Sequence, residues 1–211
     1  MPESAQEWYA RVSAAIAQDG YGAPTWPASP AYPLAEDGSV RALDPPTAER
    51  PREGDGGVDC PLCERSQRED PREYVYWRDE VAMLGVPFQP TALPLVTFLM
   101  PRRHADLAEL APAEAGRLGV ILAGLERAVC DVLDVPRVQV ARFGEGVEHL
   151  HWWVFGRPTG VDQLRGSFLL LWDDVLPPGD RTRQRADLDL VAARLVELAG
   201  GEALPFSSVV D

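Results

Sequence analysis

"GEGVEHLHWWVFGRP" (residues 144–158) is the stretch on which the reading of this chain turns. The chain has three histidines among 211 residues, and two of them, His149 and His151, stand one residue apart here. Side chains of a strand point alternately to its two faces. His149, His151 and Trp153 are therefore expected on one side and Leu150, Trp152 and Val154 on the other. Positions two apart along a strand are separated by about 6.6 Å, so two imidazoles can serve one site in different roles. A His-x-His-x-Trp alternation makes a poor core strand and a good way to line a face with imidazoles. The Gly-x-Gly turn ahead of it, Gly144 to Gly146, strengthens that reading over two incidental surface histidines.

Working outward, "RVQVARF" (137–143) reads as the preceding strand and "EHLHWWVF" (148–155) as the histidine strand. Residues 113–133 carry Leu118, Ile121, Leu122, Leu125, Val129, Val132 and Leu133 on one helical stripe, with Pro112 suited to the first turn. "YVYWRD" (74–79), "VAMLGV" (81–86) and "LVTFLM" (95–100) read as three strands, the last apolar enough to be buried on both faces. "SFLLLW" (167–172) is read as a further strand, and residues 184–199 as a closing helix ended by Gly200 and Gly201. At the start, Ser4 is placed to cap a helix over 4–18. Pro24, Pro27, Pro30 and Pro33 then forbid regular structure, and with "DPPTAERPREGDGG" (44–57) they predict an extended arm whose Trp26 and Tyr32 lie against something. The expected organisation is an N-terminal helix and Pro-rich arm over 1–57 and one α+β domain, mainly antiparallel, over 58–211.

The net charge is −13, and all 20 basic side chains are arginine. So acidic a surface argues against nucleic acid and anionic membranes as partners, because both bind through phosphate neutralisation. The early acidic residues and the lack of any long apolar run argue against a signal peptide or a membrane span, so a cytoplasmic protein is expected. Cys60, Cys63 and Cys130 are too few for a disulfide framework.

Cys60 and Cys63 form a C-P-L-C turn that can present two thiolates to one Zn²⁺ at tetrahedral angles, and a closed structural site needs two more ligands. His104, in "MPRRH", and one of the two strand histidines would complete a Cys₂His₂ set. A redox pair or two incidental thiols is the competing reading. Cys130 falls in the apolar part of a helix and reads as a packing residue.

"YVYWRDEVAMLGV", "PLVTFLMPRRHADLAELAPAEAGRL" and "GEGVEHLHWWVFGRP", in that order and with the Cys-x2-Cys upstream, resemble the histidine triad (HIT) superfamily, whose other large branch is galactose-1-phosphate uridylyltransferase. The likeness spans residues 58 to 157; the arm and everything after 158 lie outside it. It implies a HIT-like fold, commonly a homodimer with the 113–133 helix near the interface. It implies a nucleotide or nucleotide conjugate as the small-molecule partner, and His151 as the nucleophile on the α-phosphorus through a nucleotidyl-imidazole intermediate. It further implies structural zinc on Cys60, Cys63, His104 and His149, which uses each histidine once and leaves His151 to react. Gly144, Glu145, Gly146 and Val147 would cradle the phosphate with backbone N–H groups, and Arg142 or Arg157 would offset the Glu145 charge.

The third triad position, however, is Trp153 rather than His or Gln. An indole has one N–H donor and transfers no proton. It can donate one hydrogen bond or stack on a base, but general-acid help to the leaving group, typically worth about 10²–10⁴-fold, is lost. Three classes of function follow: a nucleotidyl hydrolase or transferase working through His151, a catalytically weak nucleotide-binding protein, or a zinc-stapled interaction domain. The segment 156–180, with Arg165, Asp173 and Asp174, reads as a surface loop plus the extra strand.

Overall fold

The computed structural model of the chain describes residues 1–18, 33–35 and 37–206; Trp26, Tyr32 and most of the proline series lie outside them, as does the end of the C-terminal tail. Six antiparallel strands make one sheet in the order β4-β5-β3-β2-β1-β6. They are β1 (Val75–Arg78), β2 (Ala82–Gly85), β3 (Leu95–Pro101), β4 (Val138–Ala141), β5 (Trp152–Gly156) and β6 (Glu202–Ala203). The α+β class and antiparallel sheet match the sequence expectation. Strand β3 is central and wholly buried, as its continuous apolar run predicts. Its Leu95 and Leu99 join Tyr76, Leu84 and Val154 on the face covered by α3 (Pro112–Val132) and α5 (Arg181–Ala199). From α3 come Leu118, Ile121, Leu125 and Val129, and from α5 Leu188, Val191 and Leu195. The two helices meet closely at Gly124, where a Cβ would press on Leu195 and Ala199.

The opposite face is covered in two patches. One packs Val96 and Phe155 against Trp8 and Val12 of α1 (Ala5–Ile16) and against Leu169 of α4 (Phe168–Val175). Ser4 and Glu7 form a capping box that starts α1, and the Trp8 indole N–H donates to the Ala92 carbonyl at 2.8 Å. The other patch packs Phe98 and Met100 against Cys60 and Leu62 at α2 (Pro61–Ser66).

Three expectations need correction. "SFLLLW" is not a strand; Phe168–Val175 is helical. Leu169, Trp172 and Leu176 fall at helical spacing and all pack in the cluster around Trp8, which alternation along a strand would not allow. The histidine strand is also shorter than read, since β5 begins at Trp152. Its partner β3 ends at Pro101, which has no N–H to extend the ladder, while the Pro101 carbonyl accepts from His149 Nε2 and the Leu150 N–H turns to the Ala105 carbonyl. Alternation nonetheless holds: Leu150, Trp152 and Val154 pack on the helix-covered face, and Trp153 and Phe155 lie on the other. Cys130, expected in the core, is exposed on α3.

The described arm is exposed and forms neither helix nor strand over 41–51, and it docks at Arg52–Gly57. Glu53 adds a parallel bridge to Val147, its N–H donating to the Gly146 carbonyl and its carbonyl accepting from Glu148. At the other sheet edge, Gly200 and Gly201 take positive φ and turn the chain from α5 into β6.

Candidate functional site

Cys60 and Cys63 flank the first turn of α2, His104 follows β3, and His149 precedes β5. One ligand atom from each lies within 4.8 Å of every other. The separations are 3.8 Å from Cys60 Sγ to His149 Nδ1, 3.3 Å from Cys63 Sγ to His149 Nδ1, and 3.6 Å from Cys63 Sγ to His104 Nδ1. A tetrahedral zinc with ordinary Zn–S and Zn–N lengths has an S-to-N edge of about 3.6 Å. Both rings turn Nδ1 inward and are held from behind. His149 Nε2–H donates to the Pro101 carbonyl at 2.9 Å, and His104 Nε2–H donates to the Glu148 carboxylate at 3.2 Å. An acceptor on one ring nitrogen fixes the tautomer that leaves the other nitrogen's lone pair for a metal.

Burial lowers the His149 pKa to about 4, so the ring is neutral, as a ligand must be. Burial, then the hydrogen bond and charge of Cys60, push the Cys63 thiol up to about 12. A dication shared by both sulfurs reverses that preference. Donor set, spacing and outer hydrogen bonds are those of a structural zinc site, whose chemistry is to cross-link α2 to the β3 and β5 ends.

Glu148, which simple alternation aims away from the histidines, instead reaches this site. Its carboxylate takes the His104 ring, the Gly56 N–H at 2.8 Å and the Arg52 guanidinium at 3.1 Å. It leaves the strand pattern because residues 144–151 precede the regular ladder. Arg52 also reaches Asp106 at 2.7 Å, and Arg142 pairs with the same carboxylate.

His151 stands apart from the cluster. Its Nδ1–H donates to the His149 carbonyl at 2.8 Å, which leaves Nε2 as the basic nitrogen. The ring meets Phe98 edge-on with centroids 5.7 Å apart. Trp153 stands edge-on to Phe98 at 4.4 Å and stacks on Phe155 at 5.6 Å. His151 and Trp153 open into a cleft of about 500 Å³ that Leu62, Phe88, Val147 and Leu176 also line. Phe88 is 41% exposed, and the Arg65 guanidinium lies 3.4 Å from its ring centroid.

Of the four turn residues, Val147 lines the cleft, whereas Gly144, Glu145 and Gly146 do not. Neither Arg142 nor Arg157 lines it: the Arg142 guanidinium lies over Gly144, and buried Arg157 donates to the Pro158 carbonyl. Arg102 and Arg103 are engaged with the Asp79 carbonyl and with Glu114. The cleft walls that sequence reasoning missed are Phe88, Gln89, Thr91, Asp173 and Asp174. "FQPT" has no motif to mark it, and the Asp pair was read as part of a loop and strand.

No family model matches the chain, and comparison with curated proteins finds no match. Solved structures do match. A hypothetical histidine triad nucleotide-binding protein from Sulfolobus tokodaii strain7 is 15% identical, with a TM-score of 0.50 over 66% of this chain and 93% of that one. A Zn-bound histidine triad family protein from Mycobacterium smegmatis is 22% identical, with a TM-score of 0.48 over 67% of this chain and 96% of that one. The chain thus has the histidine triad fold. Within that class it is an α+β protein with a Cys₂His₂ cluster, one histidine outside the cluster, and Trp153 where the His-x-His-x series ends.

Proposed function

We propose that the protein is a nucleotidyl hydrolase or transferase that works through a covalent nucleotidyl group on His151. The observation that carries this reading is the division of the histidines. Nδ1 of His104 and of His149 turn to the cysteines, while His151 Nδ1–H is spent on the His149 carbonyl and its Nε2 is left as a nucleophile. A neutral imidazole so oriented is nucleophilic near pH 7, and the carbonyl stabilises the charge that the ring gains on attack. The zinc supplies a cross-link that holds the His149 carbonyl in place. Phe88 and Trp153 offer aromatic walls for a base or sugar, and Val147 brings the turn's backbone to the cleft, while the other turn residues and Arg142 and Arg157 act from outside it.

The substrate class is a nucleoside phosphate ester or anhydride. A homodimer is part of the reading and is checked by sedimentation; nucleic acid is not a partner, given the −13 charge. No described helix is long and apolar enough to cross a membrane.

A second reading, nucleotide binding without turnover, is favoured by one feature: no arginine lines the cleft among the described residues. Intact-mass measurement after incubation with a nucleotide ester decides between them. A nucleotidyl adduct that His151→Ala abolishes supports covalent catalysis. Binding with neither adduct nor turnover supports the second reading.

A further inference from the structure

We propose that Asp173 is the proton donor to the leaving group in the His151 cleft, the task for which the Trp153 indole has no proton to give. The inference rests on the nucleotidyl-transfer reading above and deepens it. Departure of an alkoxide from phosphorus needs a proton at the leaving oxygen, and Trp153 can only hydrogen-bond there. The titratable side chains lining the cleft among the described residues are His151, Asp173 and Asp174. Asp174 is exposed to solvent. Asp173 is half-buried, on a helix that lies outside the family resemblance and is docked on the cleft by Leu169 and Leu176.

The position of Asp173 is set by two backbone donors. Its Oδ1 accepts from the Ala92 N–H at 2.8 Å and the Leu93 N–H at 3.1 Å, both residues fully buried just ahead of β3. In a carboxylic acid the carbonyl oxygen accepts and the hydroxyl oxygen donates. Two N–H groups on Oδ1 therefore assign it the carbonyl role and put the acid proton on Oδ2. Burial raises the affinity of Asp173 for that proton, and the neighbouring Asp174 charge adds to it, against the opposing pull of the two N–H bonds.

The step balances. His151 Nε2 gives its lone pair to phosphorus and forms the P–N bond. The bond from phosphorus to the leaving oxygen breaks with its electron pair on that oxygen, which takes the Oδ2 proton and leaves as an alcohol. In the return step water attacks phosphorus, the P–N pair goes back to Nε2, and the Asp173 carboxylate takes one proton from the water. The acid is thereby restored.

The test compares two esters of one nucleoside monophosphate, a simple alkyl ester and a p-nitrophenyl ester whose leaving group departs without a proton. D173N keeps an amide oxygen for the Ala92 and Leu93 N–H groups, so the fold around α4 is retained. The expected result, read as the single-turnover rate of nucleotidyl-His151 formation so that the return step shared by both esters plays no part, is a loss of about 100-fold on the alkyl ester and less than about threefold on the p-nitrophenyl ester. Equal losses on both esters, or no loss on either, overturn the Asp173 role. So does a wild-type protein that turns over only the p-nitrophenyl ester. Should wild-type protein form no adduct even with the p-nitrophenyl ester, the His151 reading itself fails, and the Asp173 role fails with it.

Discussion

At the scale of single residues, the separation of His149 from His151 is a matter of what stands behind each ring. Pro101 holds His149 from Nε2 and turns Nδ1 to the cysteines; the His149 carbonyl holds His151 from Nδ1 and frees Nε2. Glu148 does for His104 what Pro101 does for His149, with a carboxylate in place of a carbonyl. Losing such an outer partner typically costs about 10–100-fold in metal affinity. Glu148→Gln is accordingly expected to weaken zinc by about tenfold or more, read by competition with a chromophoric chelator. Cys60→Ser removes a ligand outright and should leave the purified protein with little or no zinc by elemental analysis; an undiminished zinc content would refute the ligand assignment. Cys60, Cys63 and His104 were legible because cysteine and histidine are scarce and their roles are chemically narrow, whereas the choice of His149 over His151 came from the family resemblance. Glu148 and Asp173 were not, because an acidic side chain in a chain with 33 of them has no signature until its neighbours are known.

At the scale of elements, periodicity identified α3, α5 and the three-strand run β1–β3, where the pattern is long or the run is buried on both faces. It misassigned Phe168–Val175, since a short apolar run satisfies a strand and a helix turn equally well. The choice was made by the apolar cluster of Trp8, Val96 and Phe155, which Leu169 joins with 1% of its surface exposed. That cluster holds both the N-terminal helix and α4, whose Asp173 lines the cleft. Trp8→Ala removes a buried indole and its hydrogen bond to Ala92, next to the Asp173 anchor. A cost of about 3–5 kcal/mol is expected in denaturant titration. Helix α2 has six residues, too few to be stable alone. Chelation of zinc should therefore raise amide hydrogen exchange across residues 54–66 while α3 and α5 keep their protection.

At the scale of the whole molecule, residues 60, 63, 104 and 149, which could hold zinc, come together only on folding. Melting temperature should then rise with free zinc, following the linkage RT ln(1 + [Zn]/Kd), by about 4 kcal/mol of stability at a thousandfold excess over Kd. A melting temperature indifferent to zinc and to chelator would rule out a structural role for the metal. The sequence by itself determined the antiparallel α+β class, the buried β3, the capped first helix and three candidate metal ligands, Cys60, Cys63 and His104. Each of these follows from local period or from scarce, chemically specific side chains. Only the tertiary structure decided that β5 starts late, that Glu148 and the arm close over the metal-ligand cluster, and that Asp173 lines the same cleft as His151. These depend on which backbone donors and acceptors are left over once distant segments meet, and no window of sequence contains both partners.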